Sequence, residues 1–180
     1  KLIELFCGSN HLTALDISKN VKLYYLRCEG NMLSTLDVSK NEKLIYLDCH
    51  LNQITALNIN NCTLLRSLCC GWNRLAMLDI SKNTQLEQWY FIYKGQEINI
   101  NIAPCKAFDM HKLIPEEYFS KVSINSDIGT YDPETGLITF NSERTGFTYI
   151  YKDTCESNES VFGSFVIEMD VTVYFESHEH

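Results

Sequence analysis

Basic charge is scarce in this chain. Fifteen Lys and Arg stand against 23 Asp and Glu, for a formal net charge of -8. Without a basic patch there is little to neutralise phosphates, which argues against a general nucleic-acid binder. Long apolar runs are also lacking, and the longest falls far short of the roughly 20 residues that a membrane-spanning helix needs. No leader with a charged start and an apolar centre is visible, and there is no initiating Met. The chain begins at Lys1 directly on a repeat, so we expect an upstream part that includes an N-terminal cap. Only three prolines interrupt 180 residues of which 45% are hydrophobic. Nothing in that balance suggests disorder, and it suffices for a stacked-repeat segment plus one small domain.

What is present is a repetition. Residues 15–20 read LDISKN, residues 36–41 LDVSKN and residues 78–83 LDISKN again, while residues 57–62 carry the worn copy LNINNC. The copies are 21 residues apart. A fixed period of this size marks a coil in which each unit buries its apolar face only against its neighbours. Leu2, Leu23, Leu44, Leu65 and Leu86 mark five starts. The fourth position is Leu5, Leu26, Leu47, Leu68 and then Trp89; the sixth is Cys7, Cys28, Cys49 and Cys70; the ninth is Asn10, Asn31, Asn52 and Asn73. The unit is LxxLxCxxNxLxxLD[IV]SKNxx.

Its first half alternates apolar and variable positions, the period of a strand with one buried face. The second half is too short for a helix of about 11 residues, so the return side should be extended or a tight turn. Between the two sides the chain bends, and the ninth-position asparagine can donate to and accept from the backbone groups that the bend leaves over. The serine and asparagine of SKN suit the second bend.

This unit resembles the leucine-rich repeat, with cysteine where a third leucine usually stands. Within that class it is similar to the internalin-type surface proteins of bacteria and their relatives in gut bacteria, over residues 2 to about 92. The expected fold is mostly β: a right-handed leucine-rich repeat solenoid over residues 1–92, with parallel strands on the concave face, an extended return side and little helix. A small antiparallel β domain over residues 93–180 would follow, as a cap or spacer. WYFIY at 89–93, KGQE and ININI at 98–102 read as a hairpin closing the stack. Residues 108–112 and 115–121 read as short helical turns, DPETG as a turn between strands, and 165–175 as a strand with Phe165, Ile167, Met169, Val171, Val173 and Phe175 on one side. Together these suggest two packed sheets. The resemblance implies a secreted or cell-surface location.

Eight cysteines could signal disulfides, but four occupy one inward position of successive repeats. Neighbouring residues of a parallel sheet lie about 4.8 Å apart and point the same way, which suits a ladder of packed thiols rather than bridges. Zinc pairs come as CxxC or CxxxxC, whereas Cys69 and Cys70 point to opposite faces. Cys62, in place of the SKN asparagine, should weaken that bend and expose a thiol. Cys105 and Cys155 remain as a pair that could bridge.

Outward positions of the strands form the concave face, where stacked-repeat proteins place binding sites. Aromatic rings beside polar groups serve both protein and sugar recognition. The candidate ligand-binding residues are therefore Tyr25, Arg27, Tyr46, Asp48, His50, Trp72 and Tyr90, the ligand a protein or glycan of a host or neighbouring cell. A patch covered or unused in a longer protein weighs equally, with Arg27 and Asp48 a mere lateral ion pair. His50 and Cys69 share this face and could form a nucleophile-base pair, but no oxyanion hole accompanies them. The histidines within SHEH at 177–180 are expected to be solvated, and Asp132 with Glu134 lacks calcium-loop spacing. The expectation is a non-catalytic binding module without cofactor or metal. A purely structural cap of a longer array is the alternative.

Overall fold

A computed structural model describes residues 1–87, 91–92, 95–100, 105–144, 146–155 and 165–175. The repeats build one parallel sheet in sequence order: β1 (Glu4–Phe6), β2 (Tyr25–Arg27), β3 (Tyr46–Asp48), β4 (Ser67–Cys69) and β5 (Phe91–Ile92). The register between β1 and β4 is one repeat, so Tyr25 pairs with Tyr46 and Arg27 with Asp48. A shift by one residue would turn every leucine outward, so the buried Leu26, Leu47 and Leu68, each at 0% exposure, pin that register.

The return side carries no regular element. Each SKN corner is two consecutive tight turns that share one residue. Asn41 N donates to Val38 O at 2.9 Å and Leu44 N to Asn41 O at 3.0 Å, and the corners at Asn20, Cys62 and Asn83 repeat this. The shared asparagine also reaches across to the preceding coil, where Asn83 Nδ2 donates to Ile59 O and Cys62 O at 3.0 Å each. Cys62 corrects the sequence reading. It is fully buried, and its thiol takes the same place, donating to Val38 O at 3.7 Å and Asn41 O at 3.8 Å. The backbone turns bend the chain without the amide, so the thiol stays inside.

The expected hairpin at 89–102 does not form among its described residues. β5 ends in the repeat sheet, whereas β6 (Gln96–Ile100) pairs in parallel with β12 (Phe165–Phe175) in another sheet of order β6-β12-β11-β8. Gly95, at φ +75°, turns the chain between them, and a Cβ there would lie 2.6 Å from the Trp72 ring. Strict alternation identified β6 as a strand, but alternation does not choose its partner. The rest of that sheet is antiparallel: β11 (Gly146–Cys155) pairs with β12 along its length and with β8 (Val122–Ile124).

A three-stranded sheet, β7 (Cys105–Asp109), β10 (Leu137–Arg144) and β9 (Gly129–Asp132), lies against it. Phe108 and Phe140 of this sheet meet Phe147 of β11 at ring-centroid distances of 5.1 and 5.5 Å, and Phe108 stacks on Phe175 at 5.6 Å. These rings form the core between the two sheets. Short 3₁₀ turns occupy Met110–Lys112 and Glu116–Lys121, the second starting after Pro115. Tyr149 ties this part to the repeats: it is fully buried, and its hydroxyl donates to Ala76 O on the return side at 2.7 Å. Cys105 is a free thiol.

Candidate functional site

The frame of the site is a ladder of side-chain amides. Asn52 Nδ2 donates to Cys28 O at 3.0 Å and Cys49 O at 3.1 Å, while its Oδ1 accepts from Leu33 N at 3.0 Å. Asn31 and Asn73 make the same bonds one coil before and after. Asn10, in the first coil, reaches only Cys7 O and Gly8 O within its own unit. Beside this ladder runs the cysteine row. Cys28, Cys49 and Cys70 are fully buried and free, and Cys7 is half-buried. Burial pushes the Cys28 thiol up to about 12 and raises Cys49 and Cys70 as well, so these are protonated packing groups rather than nucleophiles or metal thiolates.

Immediately before each ladder asparagine the backbone turns left-handed. Ser9 (φ 54°), Gly30 (φ 64°), Leu51 (φ 53°) and Trp72 (φ 51°) occupy this eighth position. That conformation costs a side chain-bearing residue about 1–2 kcal/mol. It swings Leu51 and Trp72 outward, each 51% exposed.

On the strands, Tyr25 and Tyr46 stack with ring centroids 6.2 Å apart. Arg27, one step further along β2, lies 3.5 Å from Glu29 and 3.8 Å from Asp48. Asp48 is buried at 3% exposure, and its Oδ1 accepts from His50 N at 3.3 Å and from His50 Nδ1 at 2.5 Å. A carboxylate only accepts, so the His50 proton toward it sits on Nδ1. The other face of this arrangement is aromatic, with the His50 ring meeting the Trp72 edge at 6.2 Å. Burial raises the Tyr46 hydroxyl, with Asp48 adding to it.

The structure thus brings Tyr25, Arg27, Tyr46, Asp48, His50 and Trp72 onto one continuous surface. Trp72 belongs to the bend rather than a strand. Tyr90 lies outside the described residues, as do the SHEH histidines. His50 is directed to Asp48 by its Nδ1, and this carboxylate is the partner that geometry gives it. Among the described residues no group of three His, Cys, Asp or Glu is arranged to hold a metal ion. Sequence reasoning passed over two members of this face. Phe6 is 63% exposed at its first strand, and Glu29 reaches the Arg27 guanidinium across the space left by Gly8, where a Cβ would collide with the Glu29 carboxylate. The repeat rows held both signals: Phe6 stands in the fifth-position row with Arg27 and Asp48, and Glu29 in the seventh-position row with His50.

These coils form a leucine-rich repeat solenoid with a cysteine ladder, followed by a β-rich segment. Two solved structures match along 97% of this chain: the functional domain of InlJ from Listeria monocytogenes, which includes a cysteine ladder, at 20% identity and TM-score 0.39, and InlP from the same organism at 24% identity and TM-score 0.49. The alignments cover 58% and 53% of those chains, so this chain spans little more than half their length. No protein-family model matches the sequence, and no curated protein does. No helix among the described residues is long and apolar enough to cross a membrane.

Proposed function

We propose that this chain is a non-catalytic binding module of a bacterial surface or secreted protein, which uses the concave face of its repeats to hold a protein or glycan. The observation that carries the reading is the Tyr25–Tyr46 stack beside the Arg27–Asp48–His50 group, with Trp72 held outward by a left-handed backbone. Rigid aromatic area next to oriented polar groups is what recognition surfaces concentrate, and backbone strain persists where the surroundings impose it, often at ligand sites. Residues 1–92 form the binding solenoid in this reading, and residues 93–180 its cap and spacer. A glycan and extracellular-protein array probed with the chain and with its Tyr25→Ala, Tyr46→Ala, Arg27→Ala variant tests it.

A second reading, in which the whole chain caps a longer array, is favoured by one observation. Gln96, from β6, ends the amide ladder by donating to Cys70 O at 3.0 Å and accepting from Leu75 N at 2.9 Å. An end so completed closes a stack, and a ligand site upstream would then leave the array silent for this chain.

A further inference from the structure

On the return side, opposite the concave face, the third and fourth coils and the segment around Pro115 enclose a cleft of about 340 Å³, within the size range of small-ligand sites. Leu57, Met77, Leu113 and Pro115 supply apolar walls, and Asn58, Asn60 and Asp79 supply polar groups. Neither Lys nor Arg lines it. This is also where the repeat departs from its own pattern. The third coil reads LNINNC where its neighbours read LDVSKN and LDISKN, so the outward Asp, Ser and Lys of the other coils become Asn58, Asn60 and Asn61.

The turn does not require these replacements. Asn58 Oδ1 accepts from Asn60 N at 3.0 Å just as Asp37 accepts from Ser39 N at 2.9 Å and Asp79 from Ser81 N at 3.0 Å. What changes is charge and hydrogen-bonding capacity. An Asp at 58 would set a second carboxylate one coil from Asp79 and offer only acceptors, whereas an amide both donates and accepts. The single carboxylate that remains, Asp79, is partly desolvated by burial and is lowered by hydrogen bonds from Ser81 and by the Asn60 side chain.

We propose that this cleft binds a neutral, hydroxyl-rich ligand, a sugar unit of a glycan, with Asp79, Asn58 and Asn60 engaging its hydroxyls and Leu113, Pro115 and Met77 covering its C–H face. An anion is opposed by the Asp79 carboxylate. A simple cation finds only one carboxylate among these walls, Asp79. A wholly apolar ligand would strip water from the amides without replacing it. A hydroxyl-rich ring satisfies both kinds of wall. The site is separate from the concave face and does not depend on the reading given there.

The test is a titration of the full chain followed by the backbone amide NMR signals of Asn58, Asn60 and Asp79. The probes are methyl α-mannoside, methyl β-galactoside, N-acetylglucosamine, inorganic phosphate and tetramethylammonium. At least one sugar is expected to shift those signals. An Asn58→Asp, Asn60→Ser variant, which restores the pattern that neighbouring coils fold with, should weaken that binding at least tenfold. The Tyr25→Ala, Tyr46→Ala, Arg27→Ala variant should bind the sugar unchanged, which separates this site from the concave one. The proposal is overturned if no sugar moves those signals, if phosphate or tetramethylammonium alone moves them, or if the restored variant binds the sugar as the parent does.

Discussion

Gln96 takes from Leu75 the hydrogen bond that Asn73 takes from Ile54. The two distances are 2.9 Å each, and both amides donate at 3.0 Å to the carbonyl of a ladder cysteine in the preceding coil, Cys70 for Gln96 and Cys49 for Asn73. Position 94 is where the next ladder asparagine falls due, and Lys94 stands there. A side chain one methylene longer, placed two residues later and carried by a strand of another sheet, completes the ladder instead.

The amide ladder should dominate the stability of the stack. Asn52→Ala leaves Leu33 N buried without its acceptor and takes one of two amide donors from Cys28 O and from Cys49 O, which keep Asn31 and Asn73. An orphaned buried group costs about 1–3 kcal/mol before relaxation. We expect a loss of about 2 kcal/mol for Asn52→Ala and for Gln96→Ala, each of which orphans one buried N–H, Leu33 N or Leu75 N. Asn10→Ala, in the exposed first coil, should lose under about 1 kcal/mol. Urea unfolding of the three variants measures the contrast. Equal losses would show that the amides do not act as a ladder.

Cys62 is the weak rung. A thiol donating over 3.7 Å is a poor substitute for an amide, so Cys62→Asn should stabilise the protein by about 1 kcal/mol. Burial pushes the Cys62 thiol up to about 11, and only the thiolate reacts at a useful rate. Alkylation of the native protein near neutral pH should therefore spare Cys28, Cys49, Cys62 and Cys70, with mass spectrometry locating any adduct. Rapid native labelling of Cys62 would contradict its place in the corner.

Leu51 occupies a position that Gly30 fills one coil earlier. The left-handed backbone costs about 1–2 kcal/mol for leucine, against the extra chain entropy of about 0.5–1 kcal/mol that glycine loses on folding. The side chain is half exposed and gives up little packing. Leu51→Gly should raise the unfolding free energy by about 0.5–1 kcal/mol. A drop would mean that Leu51 packs more tightly than its exposure implies.

The outward aspartates set the acid response. Hydrogen bonds from Ser18 lower the Asp16 carboxyl, and those from Ser39 lower Asp37. A carboxyl whose folded pKa is depressed stabilises the fold above its unfolded pKa, near 4, and the contribution disappears as pH falls through the folded value. Thermal unfolding followed below about pH 4 should therefore show falling stability. The Asp16→Asn, Asp37→Asn variant, which keeps the acceptor as Asn58 does, should fall less steeply. An unchanged slope would show that other carboxylates set it.

Much of this molecule is legible in its sequence because the repeat is strictly periodic. Leucine, cysteine and asparagine columns report which side chains face the core and which close the bend. The alternating run 165–175 likewise announced a strand, and Pro115 a helical turn. Partner choice was not legible. β6 alternates as well as any hairpin strand would, yet it joins β12, more than 60 residues away in sequence. Local pattern carries no information about such pairings. Tyr25, Tyr46, Arg27 and Glu29 are placed on one face by the strand period, whereas the contact of Glu29 with Arg27 depends on space left by Gly8 in the neighbouring coil.

The measurement closest to the central claim is the array comparison of the chain with its Tyr25→Ala, Tyr46→Ala, Arg27→Ala variant, with circular dichroism confirming that both are folded. A concave-face binding module predicts a protein or glycan retained by the chain and lost at least tenfold by the variant. Equal retention by both, or silence from the folded chain, would contradict that account.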